Sequence, residues 1–350
     1  MKSISLCMIV KDEEKVLDNC LNTVKDIVDE IIIVDTGSND KTIEIAKKYT
    51  HKIYNFKWEN DFAKARNYSL SKATKDYILW LDADDFLKEE SINRFKVLKE
   101  SLDGSIDMYY FLYNFNEEYL PFYRERLFKN SNNYKFKGNI HEVIIASGNV
   151  KYENITIHQV YKENKKIDRN LLIFENMDMK NYSTRDLYYY GKELFRNNNL
   201  KKSQTVLLHF LKKKDFYVED MIDSLYTLGV INIKNNEFIL ALKYFFMTFI
   251  YDYPRNNVLV EIAITFYSLQ DYKKAIYYYD LAYNNKVDLT YKYFIHKDYL
   301  KYYPCMGLCL CYDKLGNYKK ANEYNEQAYL LKKDKLVYEK NKEYFKNKLK

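Results

Sequence analysis

The hydrophobic period of this chain changes near residue 160, and few architectures accommodate such a change. Before that point short apolar runs alternate with segments of helical spacing. ISLCMIV (4–10), EIIIVDTG (30–37), KIYNF (52–56) and YILWL (77–81) read as strands. Helices are expected over 13–25, from SNDKT to about 49, and over 61–73. Strands alternating with helices predict a parallel sheet covered on both faces. After 105 the pattern turns strand-rich, in MYYFLYNF, FYRERLFKN and YENITIHQV. From 184 onward the strands vanish, and tyrosine-rich helical segments follow one another, separated by RNNN, KNNE, LQDY and KLGNY.

The helical half repeats itself. Ala241 in NNEFILALKYFF and Ala275 in LQDYKKAIYYYD stand 34 residues apart, and Ala321 in KLGNYKKANEYNEQA follows after 46. Gly191 stands in an earlier, degraded copy where Gly229 stands in the next. Small residues at this spacing, with aromatics between them, resemble tetratricopeptide repeats, whose units bury their apolar faces against one another. The 38 tyrosines are read as packing residues of these helices.

Composition excludes several classes. The longest apolar runs, such as 31–34, are too short to span a bilayer. Five cysteines, Cys7, Cys20, Cys305, Cys309 and Cys311, form no CxxC pair and no even framework, so they are expected as core thiols. The net charge of +7 is mild and without a long basic block before the tail, which argues against a nucleic-acid partner. The start reads as a first strand rather than a leader, so a cytoplasmic location is expected.

Acids collect at the carboxyl ends of the expected strands: Asp12 and Glu13 after the first, Asp35 after the second, and Asp82, Asp84 and Asp85 after the fourth. Open α/β sheets bind ligands along that edge. Two carboxylates flanking one residue suit a hard divalent cation that bridges to phosphate. Asp85 has a plainer reading, as the cap of a helix starting near 88, and Asp40 and Asp61 read as caps as well.

MIVKDEE, VDTGSNDKT, NDFAKARN and LWLDADD, in this order, resemble family 2 glycosyltransferases of the GT-A fold over roughly 1–160. The resemblance implies a Rossmann-like α/β domain over 1–165, a linker helix over 166–183 and an all-α tetratricopeptide-like domain over 184–350. It implies that Val10, Asp12, Glu13 and Asp35 hold the nucleotide of a sugar donor, UDP-linked for preference. Asp82 would approach the ribose or sugar, Asp61 would serve the same donor site, and Arg66 would offer a forked donor to the diphosphate or to a carboxylate partner. Asp84 would bind Mn2+ or Mg2+, with His158 completing the coordination. Inverting transfer needs one carboxylate as general base, and Glu142 in KGNIHEVI is the candidate, with Asp85 and Glu118 as rivals. The acceptor expected of a repeat-bearing enzyme is a polypeptide; a cell-surface glycan, a lipid-linked saccharide, or a scaffold with a silent transferase domain are the alternatives. Self-association through the repeats is a further expectation.

Overall fold

In the computed structural model, which describes residues 2–160, 168–286 and 293–349, the run ISLCMIV forms β1 (Ile4–Val10). β1 and β2 (Glu30–Asp35) are buried along nearly their whole length, because parallel strands at the centre of a sheet are covered on both sides. Alternate residues serve opposite faces. Ile4, Leu6, Met8 and Val10 join one core with α1 (Leu17–Val24) and α4 (Glu89–Ser101). Cys7, Ile32, Val34, Ile78 and Trp80 join the other, beneath α3 (Phe62–Leu70). Completing this part of the chain are α2 (Thr42–Ala46), β3 (Ile53–Asn55), β4 (Tyr77–Trp80), β5 (Asp85–Leu87), β6 (Met108–Asn114), β7 (Phe122–Lys129), β8 (Phe136–Lys137), β9 (Val143–Ile144) and β10 (Val150–Gln159).

Among the described residues eight strands form one mixed sheet in the order β3-β2-β1-β4-β7-β6-β10-β5, and β8 pairs with β9 separately. β1 runs parallel to both β2 and β4. The chain moves outward from β1 to β2 and β3, then returns to place β4 on the other flank of β1. In open α/β sheets such a divergence is where ligands are bound, here the carboxyl ends of β1 and β4.

Three helices are shorter than their sequence patterns. α1 begins at Leu17 rather than at 13 because the preceding backbone N–H groups are spent on the loop after β2 (below). α2 keeps five residues, and α3 ends at Leu70. Asp85 caps no helix: it opens β5, and α4 starts after Lys88 without a side-chain cap.

Glu30, at the buried start of β2, accepts from Ser5 Oγ, Lys52 Nζ and both the N–H and Oγ1 of Thr74. Burial raises its carboxyl, but these donors outweigh burial and hold it at about 2, below the ordinary 4.5. A depressed carboxylate contributes stability that is complete above the unfolded value and is lost as pH falls through the folded one. Urea titrations are therefore expected to show a loss of roughly 2–3 kcal/mol between pH 5 and 2 that Glu30→Gln removes.

The described residues fall into two units, Met1–Glu117 with Pro121–Lys166, and Glu118–Leu120 with Ile167–Lys350. The boundary expected at 165/166 lies outside the described residues. The second unit begins with α5 (Asp168–Glu175) and continues as helical pairs: α6 (Thr184–Arg196) with α7 (Leu200–Phe210), α8 (Val218–Lys234) with α9 (Phe238–Met247), α10 (Asn256–Ser268) with α11 (Tyr272–Asn284), and α12 (Tyr302–Lys314) with α13 (Tyr318–Lys332). α14 (Lys335–Lys348) follows and seats Phe345 against Cys309 and Ala321.

Each pair turns by the same device. Asn198, Asn236, Gln270 and Gly316 adopt left-handed backbone conformations. The next residue's N–H then reaches back to a carbonyl of the finished helix: Asn199 to Leu194, Glu237 to Asn232, Asp271 to Phe266 and Asn317 to Tyr312, at 2.8–2.9 Å. Asn199, Asp271 and Asn317 then cap the second helix. Four residues on, Ser203, Ala241, Ala275 and Ala321 are fully buried. A Cβ on Gly229 would stand 2.3 Å from the Phe245 ring, which explains that glycine. The unit is tetratricopeptide-like. The extra residues before α12 include the stretch Ile295–Lys297, which pairs with Glu118–Leu120 through Leu120 N–H to Ile295 O and Lys297 N–H to Glu118 O, both 2.8 Å.

All five cysteines are buried and free. Burial pushes the Cys305 thiol up to about 11 and those of Cys309 and Cys311 to about 12, so none is primed as a nucleophile.

Candidate active site

The loops after β1 and β2 are laced together by the acids that drew attention to them. Asp12, left-handed at φ 53°, donates its N–H to Ser38 Oγ at 3.1 Å and accepts Asn39 N–H at 2.8 Å. Glu13 N–H donates to Thr42 Oγ1, Glu14 N–H to Asp40 Oδ2, and Lys41 N–H to Glu14. Asp35 is buried and accepts from Ser38, N–H at 3.0 Å and Oγ at 2.6 Å. The carboxylate at the end of β2 thus has a local turn to hold, a duty the sequence pattern assigned to Asp40 alone. Val10 ends β1 in register with Asp35.

Between β4 and β5 the chain makes a tight turn whose acids part company. Asp85 N–H donates to Asp82 O at 3.0 Å, and Asp82 N–H donates back to Asp85 Oδ2 at 2.9 Å. Asp85 is fully buried and takes a second donor, Arg126 Nη1, at 3.0 Å. Burial pushes its carboxyl up, to about 6, against the opposing pull of Arg126. With Asp85 committed to this pair it is no candidate for the base. Asp82 instead keeps 30% of its side chain exposed. Burial raises the Asp82 carboxyl, but Arg66, Arg126 and Arg124 outweigh it and hold the group well below the usual carboxylate range. Asp84 is pinned by its backbone, its carbonyl accepting Val160 N–H at 2.8 Å.

NDFAKARN supplies the opposite wall. Asp61 caps α3 by accepting Lys64 N–H at 2.9 Å, as its position predicted. The helix then grips the β8–β9 excursion at two residues through three hydrogen bonds. Phe62 N–H donates to Asn139 O, and the Asn67 side chain both donates to Phe136 O and accepts Phe136 N–H. Arg66, buried, donates from Nε to Glu142 at 2.5 Å and from Nη2 to Asp82 at 2.6 Å. Its guanidinium lies 4.7 Å from the Trp80 ring centre and 5.4 Å from that of Phe136. Glu142 is itself buried, next to His141 at φ 53°. The other rival base, Glu118, belongs to the second unit, where it stands 3.7 Å from His296.

Three residues of this centre escaped sequence reasoning: Trp80, Arg124 and Arg126. The β6–β7 register shifts between Tyr109 and Tyr110, leaving Arg126 as the extra residue of a β-bulge. Arg124 and Arg126 lie 4.7 and 4.1 Å from the Trp80 ring centre, so three guanidinium groups surround one indole. The available signal was RER inside an otherwise apolar strand: the period of two puts both arginines on one face, but only the partner strands decide what that face meets.

Residues 5–162 match the family model described as glycosyl transferase family 2. The N-terminal unit is a family 2 glycosyltransferase domain. A TPR repeat-containing protein of Synechococcus elongatus is 39% identical over 147 residues, 41% of this chain and 36% of the relative. The SPbeta prophage-derived glycosyltransferase SunS of Bacillus subtilis is 29% identical over 265 residues, 68% of this chain and 60% of the relative. The matches thus span less than two thirds of these relatives' lengths. A solved structure of S. aureus TarS 1-349 aligns with 65% of this chain and 80% of its own at 15% identity and a TM-score of 0.34.

Among the described residues no three His, Cys, Asp or Glu side chains form a metal-holding group. Magnesium and manganese at phosphate-transfer sites take one or two carboxylates and complete their shell with substrate phosphates and water, which is the donor set an Asp-x-Asp turn supplies. His158 lies on β10 opposite Phe86, against which its ring stacks at 5.4 Å. Burial, and then Lys88, lower its pKa, which keeps the imidazole neutral and able to ligate. No described helix is long and apolar enough to cross a membrane.

Proposed function

We propose that this chain transfers a sugar, with inversion, from a nucleoside-diphosphate donor to a polypeptide. The observation that carries the reading is the meeting of Asp82 and Glu142 on Arg66 at the carboxyl edge of β4, beside the Asp84 turn. The edge at the carboxyl ends of β1 and β4 receives the nucleotide, UDP for preference, along Val10, Asp12, Glu13 and Asp35. Asp35 has lone pairs left after Ser38 for a nucleoside contact. Asp82 faces the ribose or sugar. Asp61 serves through α3 rather than by touching the donor.

Mn2+ or Mg2+, held by Asp84 and His158 together with the donor's phosphates, would supply the positive charge that a departing diphosphate requires. Glu142 takes the proton of the acceptor nucleophile as its bond to the anomeric carbon forms and the bond to the phosphate oxygen breaks. One carboxylate suffices because the leaving group departs as an anion. The helical pairs present stacked, repeated surfaces of the kind that hold extended chains, which favours a polypeptide acceptor over a saccharide.

The test is a panel of UDP-, GDP- and dTDP-linked hexoses, followed by release of nucleoside diphosphate with Mn2+ or with EDTA. We expect turnover with at least one donor and its loss on chelation. No turnover with any donor would leave the chain a repeat scaffold, and pyrophosphate release would make it a nucleotidyltransferase.

A further inference from the structure

Resting on the transferase reading, we infer that Arg66 is a positioning residue for the general base, and that it does not grip the donor's diphosphate. A phosphate-binding arginine needs a fork aimed at the ligand with its charge uncompensated. Arg66 has neither. Its Nε edge is occupied by Glu142 and its Nη2 by Asp82, both at charge-assisted hydrogen-bond distance. Its guanidinium carbon lies over the Trp80 and Phe136 rings. The side chain is 8% exposed.

Its surroundings point to the base. Glu142 sits on the short β8–β9 excursion, outside the eight-stranded sheet. Backbone and amide contacts from α3 hold the excursion at Phe136 and Asn139, but the carboxylate itself is steered by Arg66. The same guanidinium is anchored through Asp82 to the turn after β4. The distance between the base and the donor-facing carboxylate is therefore set by one planar group bonded to both. Lysine, a single point donor on a flexible stem, cannot bridge them in this way.

Two variants and their combination test this on the full chain. In Arg66→Lys, affinity for UDP with Mn2+, measured by calorimetry, is expected to stay within about threefold of wild type, while kcat for donor turnover falls ~100-fold. Glu142→Gln retains an acceptor for Nε and is expected to lose kcat to a similar extent, again with UDP binding unchanged. The double variant is expected to be no slower than Glu142→Gln alone, because groups that act as a unit do not lose rate independently. Multiplied losses in the double variant, or UDP binding weakened tenfold or more in Arg66→Lys, would overturn the inference and return Arg66 to the diphosphate. A wild-type chain that turns over no donor sinks the transferase reading, and this inference with it. Thermal melting of each variant separates a lost role from a lost fold.

Discussion

Asp84→Ala is expected to lower donor turnover by roughly 10³-fold or more, with the far-ultraviolet circular dichroism and melting curve little changed. The backbone at this position is held independently of the side chain: Asp84 O accepts Val160 N–H, and the turn is closed by the reciprocal Asp82–Asp85 bonds. Alanine leaves these bonds in place. Electron paramagnetic resonance of Mn2+ with UDP should show weakened binding in parallel with the lost turnover. Wild-type turnover in this variant would end the argument that the turn holds a cation, whatever its binding data say.

The second large effect is on stability. Arg126→Met is expected to destabilise the glycosyltransferase domain by about 3–5 kcal/mol, because Asp85 is left buried without its cation and must either carry an unpaired charge or take up a proton. Arg126 and Asp85 are both fully buried, so water cannot replace the lost partner. The double variant Asp85→Asn/Arg126→Met should recover much of this loss, since removing both charges of a buried pair is far less costly than removing one. It should not recover turnover, because Asp85 also accepts Asp82 N–H and Arg126 helps hold the Asp82 carboxyl low. Chemical denaturation separates the three proteins. A single variant as stable as wild type would show that the pair does not brace the turn.

The two effects divide the acids of LDADD by duty. Asp82 keeps part of its side chain exposed, Asp84 is buried, and Asp85 is fully buried on Arg126, and nothing in four consecutive letters distinguishes them. The capping role read for Asp85 was a sound local inference that lost to a long-range one: Arg126, turned inward at a bulge, provides a stronger partner than a helix N-terminus.

The sequence by itself determined the pieces whose causes are local. Period and turn chemistry located the first four strands, the helical segments and the polar turns RNNN, KNNE, LQDY and KLGNY between them, because these depend on sterics within a few residues. It also placed the acids on one sheet edge, since a strand's end is a local fact. Only the tertiary structure decided which of them meet. Arg66 and Glu142 lie 76 residues apart and Asp85 and Arg126 lie 41 apart, and neither pairing leaves a trace in local pattern. Helix α1 starts late for the same reason, its first donors being claimed by a loop 26 to 29 residues away. Charge partners are chosen by sheet order and by a one-residue bulge, and these follow from how the whole chain closes its core.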